Sequence, residues 1–87
     1  MSRIVRTPLS LLTNTPLGYK MRLMERVGRN VRRLRRQRGW TQQVLAERIG
    51  TSQVYVAQVE GAAKELSLEM LGRFAKALRV KPGRLVD

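Results

Sequence analysis

The chain contains neither cysteine nor histidine. Without cysteine no disulfide framework can form, and with both residue types missing there are no thiolate or imidazole ligands for a zinc finger or structural zinc site. Acidic residues are scarce as well: six Asp and Glu stand against 18 Lys and Arg, a formal net charge of +12 over 87 residues. Lacking imidazoles, thiols and all but a few scattered carboxylates, the sequence offers little for general acid–base, nucleophilic or metal-assisted catalysis. An enzyme, a metal site and a cofactor are therefore not expected. Long apolar runs are also missing. Stretches such as Leu11-Leu12 fall far short of the roughly 20 residues of a transmembrane helix. Leu9 to Leu12, followed by Thr13, Asn14 and Thr15, is too short for the apolar part of a secretory signal. The expectation is a cytoplasmic protein with no membrane association.

What is present is a globular composition, 43% hydrophobic and 28% charged, and an excess of positive charge that calls for a polyanionic partner or a membrane surface, nucleic acid being the commoner answer. The charge is unevenly placed. Residues 1–22 carry +4, residues 23–39 carry seven arginines against Glu25 for +6, residues 40–66 carry −1, and residues 67–87 carry +3. A nearly neutral segment inside so basic a chain must do something other than neutralise phosphates.

The length suits one small domain. Residues 1–20 differ in character from residues 21–87, with turn and breaker signals at Thr7-Pro8, Asn14, Thr15-Pro16 and Gly18. Two readings of this extension are open. It is a loosely ordered leader, with Met21 and Met24 as alternative starts to Met1, or a basic arm in which Arg3 and Arg6 reach a groove or Ser2 to Arg6 pair as a strand with another subunit. From about Lys20 the spacing becomes helical: Val27, Val31 and Leu34 form a stripe that Leu17, Met21 and Met24 extend if the helix starts early. Gly39 supplies a left-handed stop, and Gly28 marks a true start or a bend. Thr41 caps a second helix from Gln42 to Ile49, stopped by Gly50. Ser52 caps a third from Gln53 to about Glu60, Ser67 a fourth with Leu68, Leu71, Phe74, Ala75 and Leu78 on one face, and Pro82 opens a short fifth. The fold class is all-α, with five helices.

Residues Gln42 to Val59 form a unit of their own: two short helices joined by Gly50-Thr51-Ser52, with apolar residues at Leu45, Ile49, Val56 and Val59. Ala46 is small where steeply crossing helices come together, and Gly50 admits a positive φ. This is a helix-turn-helix pattern. The stretch RLRRQRGWTQQVLAERI from Arg33 to Ile49, continued by Gly50-Thr51-Ser52-Gln53 and Glu60, resembles the DNA-binding domain of lambda-repressor/Cro-like regulators, also called the xenobiotic-response-element family. The resemblance covers about residues 25–86. It implies a five-helix, dimeric transcription regulator, prokaryotic or phage-encoded, working at the nucleoid on an inverted-repeat operator of double-stranded DNA. The chain departs from the family after Glu60: where the family has Glu-x-Gly and a proline four residues later, this sequence has Glu60-Gly61-Ala62 and Leu66.

Chemistry and resemblance together assign residues. Gln53 opens the third helix, and its amide matches adenine N6 and N7 in the major groove; Val54, Tyr55 and Gln58 are further base contacts, Val54 for a thymine methyl. Gln42, Gln43, Ser52, Arg32, Arg36 and Lys64 are phosphate contacts, Gln42 also buttressing Gln53. Arg35 and Glu60 pair across helices, and Trp40 packs over the helix junction. Val80, Leu85 and Val86 exceed what a small core needs and are assigned to a homodimer interface. Two other functions stay open at this point: an antitoxin-type protein that binds a partner toxin and autorepresses, and a non-specific nucleic-acid binder driven by the first helix.

Overall fold

A computed structural model describes residues 16–87; the expectations for Arg3, Arg6 and Ser2 to Arg6 lie outside them. Among the described residues five helices follow one another: α1 (Pro16–Gln37), α2 (Gln42–Ile49), α3 (Gln53–Glu60), α4 (Leu68–Leu78) and α5 (Gly83–Val86). Among the described residues there is no strand. α1 is already helical at Pro16, the first described residue, ahead of the onset of the stripe at Lys20. Residues 16–20 are part of that long helix.

The three caps read from the sequence are formed. Thr41, Ser52 and Ser67 each sit in extended backbone and accept, through the side-chain oxygen, from the backbone N–H three residues on: Val44, Tyr55 and Met70, each at 3.1 Å. Each such cap contributes about 1 kcal/mol. The helix ends share a second device. In α1 to α4 the chain turns through one left-handed residue, and the next residue donates back to a carbonyl of the last turn: Trp40 N to Arg35 O, Thr51 N to Ala46 O, Ala63 N to Gln58 O and Val80 N to Ala75 O. The left-handed residue is Gly39 or Gly50 in the first two, but Ala62 and Arg79, both at φ +59°, in the others. The departure noted after Glu60 therefore has a structural meaning: Ala62 occupies a conformation that favours glycine.

The core is formed by Val31, Leu45, Val56, Phe74, Leu78 and Leu85, all shielded from solvent, with Leu34, Ile49 and Val59 around them. α1 is its spine, packing against α3 and α5, while α2 lies against α3 and α4. Gly28 lies within α1 and does not start it. It is where α1 and α3 touch backbone to backbone: a Cβ there would stand 2.6 Å from the Val59 carbonyl oxygen and 2.8 Å from that of Glu60.

α5 corrects one assignment. Leu85, expected at a dimer interface, is 0% exposed within a single chain and belongs to the core. The reason is Asn30, buried in α1, whose side-chain amide donates to the Leu85 carbonyl at 2.9 Å and to the Asp87 carbonyl at 3.1 Å. Those two bonds pull the short helix onto α1 with Leu85 underneath. Val80 and Val86 are only partly buried at its edge.

Candidate nucleic-acid interface

α2 and α3 pack directly against each other because the turn between them is short and nothing bulky separates them. Ala46 is 0% exposed, and its carbonyl accepts both the Gly50 and the Thr51 N–H at 2.9 Å. Gly50 adopts φ +84°. From α4, Arg73 donates to the Ile49 carbonyl at 3.0 Å, a cation on the C-terminal end of α2. The start of α3 is thereby fixed relative to α2.

Val56 and Val59 hold α3 to the core, and this leaves Val54 and Gln58, one turn apart, exposed on its outer side with Gln53 on the shoulder next to α2. Val54 is 60% exposed, which is uncommon for an apolar side chain on a packed helix. Ala57, half-buried, lies between Gln53 and this row. Sequence reading passed over it, though its position four residues after Gln53 places it on that face; its small side chain keeps the face low enough for close approach. Tyr55 is turned the other way. Its ring is half-buried and packs on Phe74 with centroids 6.2 Å apart, and burial raises its phenol pKa above the ordinary value. It stays neutral at physiological pH, and most of its contact is with the interior.

A chain of polar side chains joins the interior to Gln53. Arg35 donates through Nε to Glu60 Oε2 at 2.6 Å and through a terminal nitrogen to Glu60 Oε1 at 3.0 Å, with a further bond to the Trp40 carbonyl at 2.7 Å. The hydrogen bond to Glu60 raises the arginine pKa and outweighs burial, which lowers it, so the guanidinium keeps its charge. The same Glu60 Oε1 accepts from Gln42 Nε2 at 3.0 Å, and Gln42 Oε1 accepts from Gln53 Nε2 at 2.6 Å. A carboxylate can only accept, so Gln42 must turn its NH2 inward and its oxygen outward, and Gln53 must answer with its own NH2. Gln53 is left with its carbonyl oxygen and one N–H free, the acceptor–donor pair that fits the adenine edge.

The remaining candidates are distributed around this unit. Gln42 and Gln43 provide the first N–H groups of α2, which have no partner within the helix, and the Gln43 side chain donates to Glu47 at 3.3 Å. Ser52 is exposed with its oxygen in the cap. Lys64, in the α3–α4 connection, and Arg32 and Arg36, on α1, are exposed. Trp40 packs on the core at the helix junction, and Arg48 stacks over its ring at 4.2 Å, a cation–π contact absent from the sequence reading. Among the described residues no group of acidic side chains could hold a metal ion, and no helix is long and apolar enough to cross a membrane.

The helix-turn-helix family of Cro/C1 type matches residues 31–85, which takes in the end of α1 from Val31, the α2–α3 unit, the whole of α4, and α5 as far as Leu85. The chain belongs to that family. Solved structures agree with a shared fold. A hypothetical transcription factor NHTF from Neisseria is 31% identical, with a TM-score of 0.73 and 75% of each chain covered. The restriction-modification controller protein C.AhdI from Aeromonas hydrophila is 32% identical, TM-score 0.69, covering 71% of this chain and 94% of its own. The clp gene regulator ClgR from C. glutamicum is 32% identical, TM-score 0.68, covering 72% and 82%. No curated protein sequence is significantly similar. As a Cro/C1-type protein the chain has the DNA-binding, transcription-regulator fold, with α2 and α3 as its helix-turn-helix.

Proposed function

We propose that this helix-turn-helix protein is a sequence-specific transcription regulator, a repressor or controller, that binds an inverted-repeat operator in double-stranded DNA as a homodimer in the cytoplasm. The observation that carries the reading is the Arg35–Glu60–Gln42–Gln53 chain, which fixes the amide of an exposed glutamine at the start of α3. A plain surface glutamine needs no such support. In this reading Gln53, Val54 and Gln58 meet base edges in the major groove, and Tyr55 contributes only its exposed rim. Gln42, Gln43, Ser52 and Lys64 meet the phosphates on either side, and Arg32 and Arg36, on the α3 side of α1, extend that contact.

The homodimer uses Val80 and Val86. Val86 lines an apolar groove of about 250 Å³ with Leu23, Met24 and Leu68, the last 87% exposed. C.AhdI, a controller protein matched over 94% of its own chain, favours the controller reading over an antitoxin. Selection of bound duplexes from a random pool tests the whole proposal. The expected outcome is one enriched motif repeated with inverted symmetry, its half-sites about 34–36 Å apart. A pool that stays random after several rounds, with binding still strong, would refute it.

A further inference from the structure

The outer face of α1 carries charge that the reading unit does not use. Gly28 and Arg35 turn towards α3. At about 100° per residue, Arg29 lies about 100° around the helix from Gly28, and Arg33 and Arg26 about 140–160°, on the side turned away from α3. Together with Arg32 and Arg36 on its shoulder they line a shallow basin of about 770 Å³, in which the only carboxylate is that of Asp87. All five arginines are exposed. Among the described residues none of them is in an ion pair, Glu25 included; Arg26 alone has a backbone contact, 3.5 Å to the Val86 carbonyl.

Five like charges at three- and four-residue spacing repel one another and destabilise the helix unless an anion lies across them. From Arg26 to Arg33 the row runs about 10 Å, comparable to the axial length of about three phosphates on one DNA strand. The cations are all guanidinium, which binds phosphate oxygens in pairs. The lining of the basin includes no apolar side chain to anchor a protein partner, whose interfaces are centred on buried aromatic or aliphatic contacts; Tyr19, 55% exposed, stands nearer the start of α1, beyond Arg26. In the proposed reading a duplex seated on α3 is met by Arg32 and Arg36 on the near shoulder of α1, and the phosphates that reach Arg26, Arg29 and Arg33, further round the helix, belong to other DNA.

We propose that this face is a second, sequence-independent DNA-binding surface, which holds the backbone of a second duplex while α3 is occupied and so bridges two DNA segments. The proposal rests on the reading of α3 as the operator-facing helix. To test it, the protein is loaded on an immobilised duplex selected from a random pool, and a labelled 20-bp duplex of arbitrary sequence is added. Wild type captures the label. R26Q/R29Q/R33Q binds the immobilised duplex within about twofold of wild type and loses at least about tenfold in capture, as expected when most of a backbone footprint is removed. R29Q/R33Q, which keeps the Arg26 contact to α5, falls in the same direction, and circular dichroism confirms its fold. Q53A loads more weakly on the selected duplex but captures the label normally for each protein bound. The proposal is overturned if loaded wild type captures no label, if the triple variant captures as much as wild type, or if it loses affinity for the immobilised duplex in the same proportion. Loss of capture in Q53A would place the label on α3 and overturn it as well.

Discussion

Exchanging Gly28 for alanine opposes two effects of known sign. In an exposed helix the change stabilises by about 1 kcal/mol, because alanine is the better helix former. Here the added Cβ would stand 2.6 Å from the Val59 carbonyl oxygen and 2.8 Å from that of Glu60. An ordinary carbon–oxygen contact needs about 3.3 Å, so the helices must part by about 0.7 Å. Neither oxygen can swing aside. Both are main-chain atoms of the last turn of α3, and Val59 O is engaged by the Ala62 N–H at 3.1 Å. Overpacking of this kind costs about 1–3 kcal/mol. A contact between two backbones belongs at the upper end, and after the helix-propensity gain a net loss of about 1–2 kcal/mol is expected. Urea denaturation followed by circular dichroism reads it directly: with a slope near 1 kcal/mol/M for a small domain, the midpoint falls by about 1–2 M. A midpoint that stays or rises would show that α1 and α3 do not meet at Gly28, and the packing described above would be wrong.

Ala62→Gly has the opposite expected sign. It relieves an L-residue from the left-handed region, where the cost is about 1–2 kcal/mol, against about 0.5–1 kcal/mol of extra backbone entropy for glycine; the melting temperature rises by a few degrees, and a fall would refute the strain. Gln53→Ala weakens binding to the selected operator by about 1–3 kcal/mol and leaves random duplex unaffected, as read by gel shift; equal losses on both would remove Gln53 from base reading. Leu85→Ala costs about 2–5 kcal/mol of folding stability at any protein concentration. A variant of normal stability that merely dissociates into monomers would return Leu85 to the interface.

The parts of the fold that were legible in the sequence are those decided locally. Thr41, Ser52 and Ser67 close their caps within three residues, and Gly39 and Gly50 turn their chain ends within two, so residue identity suffices. The Arg35–Glu60 pair was legible through family resemblance, and the role of Gln42 beside Gln53 came the same way. What was hidden depends on partners distant in sequence. Gly28 meets carbonyls more than thirty residues on, and Leu85 is buried by a side chain 55 residues earlier. Ala62 and Arg79 adopt positive φ without being glycine, which composition could not announce. The inward turn of Tyr55 follows from Phe74 on another helix, and the outward-facing arginines of α1 could be sorted by side only once Gly28 had shown where α3 lies.

The polar chain between Arg35 and Gln53 has a shielded end and an open one. The side chains of Arg35 and Glu60 are 10% and 4% exposed, whereas Gln53 stands in solvent and is joined to them through one amide. An exchange at position 53 cuts only the outermost bond and leaves the paired charge intact. In the proposed reading of α3, recognition can therefore change by a single substitution at position 53 while the inner pair, and with it the fold, is left intact.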